Sequence, residues 1–164
     1  MSVNGLIADE KGSEEPFSNA NWHEFVSDAQ KIGCLVWGRK TYEAVRKWSK
    51  NYLDPLSKVV KVVLTSNENY KVDDGWELVH SPQEVISLLE SKGFHEMILT
   101  GGSTNNSSFA KLGLIDEMIL DVENIIIGKG VPLFKTDEFE LNLKLLDTKK
   151  VNDNITKFHY QVVK

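Results

Sequence analysis

The sequence predicts an α/β fold, a three-layer sandwich whose mostly parallel central sheet carries an antiparallel C-terminal hairpin. The first observation is that short, β-branched apolar segments alternate with helical patterns over residues 19–123, as they do when helices connect parallel strands. The second is that residues 140–163 hold two segments of alternating apolar and polar side chains around the turn sequence NDN. Such a pattern is typical of an antiparallel pair.

The helices are predicted from the spacing of apolar residues and from residues suited to helix ends. Trp22, Phe25 and Ala29 recur at helical spacing in the first helix, and Ser81 and Gly93 suit the start and end of the third. The predicted helices are NANWHEFVSDAQKI (19–32), RKTYEAVRKW (39–48), QEVISLLESKG (83–93) and the helix that follows the glycine turn in GGSTNNSSFAKLG (101–113).

The strands are predicted from short runs of β-branched and other apolar residues that end at turn-forming sequences. The predicted strands are CLVW (34–37), KVVKVVLT (58–65), WELVH (76–80), EMILT (96–100), DEMILDVE (116–123), ELNLKLLDTKKV (140–151) and ITKFHYQVV (155–163). The absence of repeats and linkers favours a single domain over residues 1–164.

Composition limits the classes of function. The 164-residue chain has a net charge of −5, and an acidic chain without a basic stripe is a poor candidate for binding a nucleic-acid backbone. Cys34 is the one cysteine, and its apolar strand predicts a buried side chain rather than a reactive thiol. The four histidines have no ligand spacing, so no metal site is expected. With neither a signal peptide nor an apolar run of about 20 residues, we expect a cytoplasmic protein.

Three predicted strands end in sequences that suit an anion. Arg39 and Lys40 lie in the first turn of a predicted helix, where each cation costs typically ~0.3–1 kcal/mol because the helix N-terminus is itself positive. A bound phosphate would turn that cost into a gain, whereas two cations on a solvated turn are the alternative. The sequence has neither a Walker loop nor the G-x-G-x-x-G fingerprint. The strand-end sequences are GRKT (38–41), TSN (65–67) and GGST (101–104).

Five motifs in order give the chain a resemblance to a known family. They are MSVNGLIA, GRKTYE, ILTGGS, GLIDEMILDV and IIIGKGVPLF. Together they resemble the dihydrofolate-reductase-like fold, and most of all the C-terminal reductase domain of the riboflavin-biosynthesis deaminase–reductase. The resemblance spans nearly the whole chain.

The resemblance implies a reductase that binds NADPH and passes hydride to a small metabolite, with the riboflavin-pathway 5-amino-6-(5-phosphoribosylamino)uracil as the first candidate. Ile7 and Ala8 are implied to flank the nicotinamide. The remaining residues are implied to hold the 2′-phosphate and the pyrophosphate. They are Gly38, Arg39, Lys40, Thr41, Thr65, Ser66, Gly101, Gly102, Ser103 and Thr104.

On the substrate side the chain departs from its relatives. Asn4 stands where the riboflavin-pathway reductases usually have Asp, and Leu6 stands where a basic residue often follows the glycine. A dihydrofolate reductase needs a carboxylate on the first helix, and the nearest residues here are Asn21 and Trp22. Glu24 and Asp28 are acidic but shifted along the helix, where we expect them to face solvent. The alternatives are therefore a dihydrofolate reductase and an NADP(H)-binding module without turnover. The substrate-side candidates are Asn4, Trp22 and Lys129.

Two further expectations follow from the same resemblance. Relatives have a strand before the segment that corresponds to MSVNGLIA, so we expect either that residues upstream are not represented here or that the sheet has a gap. Relatives also often pair through their C-terminal strands, so we expect a homodimer.

Overall fold

The computed structural model describes Met1–Lys164 apart from the side chains of Lys50 and Asn51. Its contacts form two units, a central unit of His23–Asn105 and a terminal unit of Met1–Trp22 with Asn106–Lys164. In chain order the elements are β1 (Leu6–Asp9), α1 (Asn19–Ile32), β2 (Cys34–Gly38), α2 (Arg39–Val45), α3 (Lys50–Leu53), a 3₁₀ helix (Asp54–Leu56), β3 (Val60–Leu64), β4 (Trp76–Val79), α4 (Pro82–Ser91), β5 (Ile98–Leu99), α5 (Ser103–Lys111), β6 (Glu117–Glu123), β7 (Gly130–Pro132), β8 (Asn142–Lys150) and β9 (Ile155–Val163).

The central unit contains a four-stranded parallel sheet in the order β4-β3-β2-β5. All five residues of β2 are buried, because β2 has a neighbouring strand on each edge and apolar side chains on both faces. Cys34 at its start is fully buried, and burial raises the pKa of its thiol to about 11. The predicted parallel sheet and the predicted buried cysteine are both confirmed.

The terminal unit contains an antiparallel sheet in the order β6-β9-β8 and a short pair formed by β1 and β7. The pairing of β8 with β9 confirms the predicted antiparallel C-terminal hairpin, which lies in a sheet separate from the parallel one. All nine residues of β8 are exposed, however, so its alternating pattern does not mark one buried face. The register shifts between Leu145 and Asp147, where two consecutive leucines interrupt the alternation.

Local structure differs from the prediction at several boundaries. The prediction of one helix over residues 39–48 is wrong, because α2 ends at Val45 and the amides of Lys47 and Trp48 bond to carbonyls three residues back. The helix α3, the 3₁₀ helix and β7 were not predicted, because they have too few residues for a periodic pattern. By contrast, α1 has the predicted bounds, and the Ser81 hydroxyl caps α4 by accepting from the amide of Glu84. Among the described helices, none has both the length and the apolar composition of a membrane span.

The pairing of β1 with β7 predicts the effect of a methyl group at Gly130. A Cβ atom there would lie 2.1 Å from the carbonyl oxygen of Ala8, which is a backbone atom of the paired strand. We expect Gly130→Ala to lower the free energy of unfolding by about 1–3 kcal/mol, measured by denaturant melts. The matched control is Gly128→Ala, because no atom lies within 4 Å of that Cβ position. Equal stability of the two variants would contradict the close approach of β7 to β1.

Candidate cofactor and substrate site

The three predicted strand-end sequences lie at one edge of the central sheet. The strands β2, β3 and β5 run parallel, with β2 between the other two. Gly38 is opposite Leu64 in the register, and Val36 is opposite Leu99. The sequences GRKT, TSN and GGST therefore all leave the carboxyl-terminal edge, which is where open α/β sheets bind ligands.

Two glycine junctions, Gly38 between β2 and α2 and Gly101–Gly102 between β5 and α5, are in direct contact. The amide of Gly38 donates a 2.8 Å hydrogen bond to the carbonyl oxygen of Gly101. A Cβ atom on Gly38 would lie 2.9 Å from Nδ2 of Asn105, and one on Gly102 would lie 3.7 Å from Oγ1 of Thr41. Gly101 has φ of +87°, a conformation that favours glycine. The backbone thus forms a cradle around residues 38–41 and 101–105 that a side chain at position 38 would fill.

The Arg39 side chain is held beside the segment that follows β3. Its Nη1 lies 3.0 Å from Oε1 of Glu43, and its guanidinium carbon lies 5.7 Å from the centre of the Tyr70 ring. The Tyr70 hydroxyl donates to the same Glu43 oxygen at 3.1 Å. Burial and then the Glu43 carboxylate raise the pKa of Tyr70, so its hydroxyl keeps its proton. Glu43 and Tyr70 therefore fix the guanidinium, while the Arg39 side chain as a whole remains 39% exposed.

This arrangement is unfavourable for an isolated helix. The helix α2 has seven residues, with Arg39 at its first position and Glu43 four residues later. An acidic residue N-terminal to a basic one is the better order for such a pair. Both charges oppose the helix dipole.

The other predicted residues of this edge add donors. Lys40 and Ser66 are exposed and Thr41 is half-buried. The Thr65 hydroxyl accepts a 3.3 Å hydrogen bond from the amide of Asn67, which orients the turn after β3. The predicted cofactor residues of the central unit supply two cations, five hydroxyl groups and glycine backbone, with Glu43 as a neighbouring carboxylate. They are Gly38, Arg39, Lys40, Thr41, Thr65, Ser66, Gly101, Gly102, Ser103 and Thr104.

This donor set, together with the cradle, fits the phosphates of a dinucleotide. Phosphate oxygens are acceptors that favour backbone amides, hydroxyls and guanidinium groups. The implied NADPH would therefore be held by these residues. The Arg39 guanidinium is the group among them best suited to bind the 2′-phosphate of the ribose. That these residues bind it stays a prediction.

In the terminal unit, the predicted residues lie on β1 and in the adjoining loops. Ala8 is buried and Ile7 half-buried on β1. The Asn4 carboxamide is engaged, since Oδ1 accepts from the Ser2 hydroxyl at 2.9 Å and Nδ2 donates to the Ile127 carbonyl at 2.8 Å. Asn4 thus ties the opening turn to the loop after β6.

The other two substrate-side candidates differ in exposure. Trp22 is half-buried near the start of α1. The Lys129 ammonium lies 2.7 Å from Oε2 of Glu10, and its side chain is 83% exposed. Whether Asn4, Trp22 and Lys129 contact a substrate stays a prediction.

A buried carboxylate, which the sequence did not single out, lies beside the first turn of α1. Glu123 at the end of β6 is 6% exposed. Its Oε1 accepts from the backbone amide of Ser18 at 2.9 Å, from the Ser18 hydroxyl at 3.0 Å and from Nδ2 of Asn21. Negative charge is favourable at a helix N-terminus, so Glu123 holds the start of α1 to β6.

Comparison with known proteins identifies the family. The model of the family described as the RibD C-terminal domain matches residues 1–157. The chain belongs to this family. Its relative YwjB of Bacillus subtilis (strain 168), described as an uncharacterized protein, is 27% identical over 165 residues, which are 98% of this chain and 92% of YwjB.

Solved structures confirm that this RibD C-terminal domain has a dihydrofolate-reductase-like fold. A candidate riboflavin biosynthesis protein from Shewanella sp. PV-4 is 30% identical with a TM-score of 0.79, covering 100% of this chain and 96% of its own. The dihydrofolate reductase of Enterococcus faecalis, solved with NADP(H), is 19% identical with a TM-score of 0.72, covering 100% and 93%. The resemblance stated from the motifs is confirmed.

The sequence pattern did not single out Glu43, Tyr70 or Glu123. The spacing of Arg39 and Glu43 could have revealed their pair, because residues four apart are neighbours on a helix. Tyr70 could not be found in this way, since its contact with Glu43 depends on the turn after β3. Glu123 gave no signal, because it continues a strand pattern with a polar residue.

Proposed function

We propose that this RibD C-terminal domain is an NADPH-dependent oxidoreductase. The observation that carries the proposal is the contact between the two glycine junctions, with Arg39 fixed beside the end of β3. NADPH, when bound, supplies the hydride, and the protein contributes binding and orientation. Gly38, Gly102 and the adjoining hydroxyls would bind the pyrophosphate. Arg39 would bind the 2′-phosphate that distinguishes NADPH from NADH.

For the substrate we propose the riboflavin-pathway ribosylaminopyrimidine. Membership of the RibD C-terminal domain family and the likeness to the Shewanella protein support it. The folate alternative needs a carboxylate on α1, whereas Asn21 stands there and bonds to Glu123. The Glu123 oxygen that faces α1 already accepts three hydrogen bonds, which supports a structural role for this carboxylate. NADPH oxidation with each substrate distinguishes the two enzymes, and binding without oxidation of either would favour the non-catalytic module.

The role of Arg39 in cofactor selection can be tested by one substitution. Arg39→Ala should weaken NADPH binding about 10- to 150-fold, because a hydrogen bond to a charged group contributes ~1.5–3 kcal/mol, and should change NADH binding little. Dissociation constants from nucleotide fluorescence measure both. Arg46→Ala is the control, since Arg46 has similar exposure and pairs with Asp73 at 2.9 Å. Equal losses for NADPH and NADH in Arg39→Ala would contradict the assignment.

We also propose that two copies pair through β8. This strand is exposed along its whole length, and Leu143, Leu145 and Leu146 are 41%, 51% and 45% exposed. Charge supports an antiparallel self-pairing, because residues 137–140 carry three acids whereas β8 ends in Lys149 and Lys150. The two segments would lie alongside each other in the pair.

A charged residue in the middle of β8 tests this pairing. By light scattering after gel filtration, the protein should have twice the 18.5 kDa mass of one chain. The Leu145→Asp variant should have the mass of a single chain. Leu112→Asp is the control, because Leu112, just after α5, has a comparable exposure of 48%. A monomeric parent protein, or a Leu145→Asp variant that stays dimeric, would overturn the proposal.

A further inference from the structure

Asn4 lies two residues before β1, and its side chain forms two hydrogen bonds with the backbone of one residue that is distant in sequence. Oδ1 accepts from the amide of Ile127 at 3.2 Å, and Nδ2 donates to the carbonyl oxygen of Ile127 at 2.8 Å. The Ser2 hydroxyl donates to the same Oδ1 at 2.9 Å. These partners determine which end of the carboxamide is the oxygen. Asn4 therefore pairs with Ile127 much as a residue of a neighbouring strand would.

The Asn4 side chain is connected to β1 through Ser2. The hydroxyl of the fully buried Ser2 accepts from the amide of Leu6 at 2.9 Å while it donates to Asn4. A hydroxyl group has one proton and two lone pairs, so it can do both. Leu6 is the first residue of β1. An uninterrupted series of hydrogen bonds thus links Ile127, Asn4, Ser2 and β1.

This link matters because β1 belongs to a two-stranded pair rather than to a larger sheet. The paired strands β1 and β7 have four and three residues, and an isolated two-stranded pair is marginally stable in water. The contact with Asn4 fixes the loop after β6 at Ile127, and the pairing with β1 fixes the chain from Gly130 onward. The position of β1 therefore depends on both attachments.

We propose that Asn4 is a positioning residue for the nicotinamide half of the cofactor, because its contacts with Ser2 and Ile127 hold β1 in place. The inference rests on the proposed function, since it uses the expectation that Ile7 and Ala8 of β1 flank the nicotinamide. The role is exerted through Ser2 and Ile127 and requires no contact between Asn4 and the ligand.

The pairing with Ile127 needs a carboxamide. The carboxamide oxygen accepts and its NH₂ group donates, whereas an ionised carboxylate has acceptors only. Replacing Asn4 by Asp keeps an acceptor for Ser2 and for the Ile127 amide, but it places a second oxygen against the carbonyl oxygen of Ile127. Because the two side chains have nearly the same size, this substitution tests the donor rather than the packing.

The experiment compares NADPH with 2′,5′-ADP, which has the adenosine and its 2′-phosphate but lacks the nicotinamide. Calorimetry measures the binding of both to the whole protein, and the fluorescence of bound NADPH reports on the surroundings of the nicotinamide. In Asn4→Asp, NADPH should bind about 2- to 12-fold more weakly, which is the equivalent of one hydrogen bond. The fluorescence of the bound NADPH should move towards that of free NADPH, while the affinity for 2′,5′-ADP should match the parent.

Two further variants complete the experiment. Asn124→Asp is the matched control, because Asn124 lies in the same unit and its Nδ2 donates at 3.1 Å to the carbonyl oxygen of Asp153, in the turn between β8 and β9. This variant should bind both nucleotides as the parent does. Asn4→Ala removes the same donor without adding a charge and should also lose affinity for NADPH alone, so the test does not depend on the folding of one variant.

The outcomes separate this inference from the proposed function. A loss confined to NADPH in both Asn4 variants, but not in Asn124→Asp, supports the positioning role. Unchanged NADPH binding and fluorescence in the Asn4 variants, equal losses for NADPH and 2′,5′-ADP, or the same loss in Asn124→Asp would overturn that role and leave the proposed cofactor intact. Failure of the parent protein to bind either nucleotide would overturn the proposed function, and the inference with it.

Discussion

The hydrogen bond from the Gly38 amide to the Gly101 carbonyl is the constraint on which the candidate site depends. It joins the end of β2 to the turn that leads into α5. The parallel pairing of β2 with β3 and β5 brings the three strand ends to one edge, and this bond closes two of them on each other. A methyl group on Gly38 would lie 2.9 Å from Nδ2 of Asn105, so the Asn105 side chain would have to move. Without the hydrogen bond, the residues 38–41 and 101–104 would be two separate turns rather than one cradle.

Charge placement at this edge is poor for the isolated helix and suitable for a ligand. Arg39 and Lys40 begin α2, where the helix dipole disfavours cations. Glu43 lies C-terminal to Arg39, which is the less favourable order for such a pair. Contacts within the protein partly offset this unfavourable charge, since the Arg39 guanidinium donates to Glu43 and lies over the Tyr70 ring. This local pair fixes the direction of Arg39 but leaves the side chain partly exposed. A phosphate would complete the arrangement.

The sequence predicted those features whose signal is local. The bounds of α1, the buried β2 and the hairpin of β8 and β9 follow from apolar periodicity and turn residues. The strand-end glycines and hydroxyls could be named because parallel strands share one carboxyl edge. The contact of Glu43 with Arg39 was visible only as a spacing, and the contacts of Tyr70 and Glu123 were not visible at all. Their partners are distant in sequence, and tertiary packing rather than pattern brings them together.

The central claim is that residues 38–41, 65–66 and 101–104 bind the phosphates of one nucleotide. The most direct measurement is a titration of the ¹⁵N-labelled protein with NADP⁺, followed through backbone amide chemical shifts. The account predicts that the largest shift changes fall on these three segments together and saturate at one equivalent of nucleotide. Changes confined to other parts of the chain, or no saturable change with NADP⁺, would contradict it.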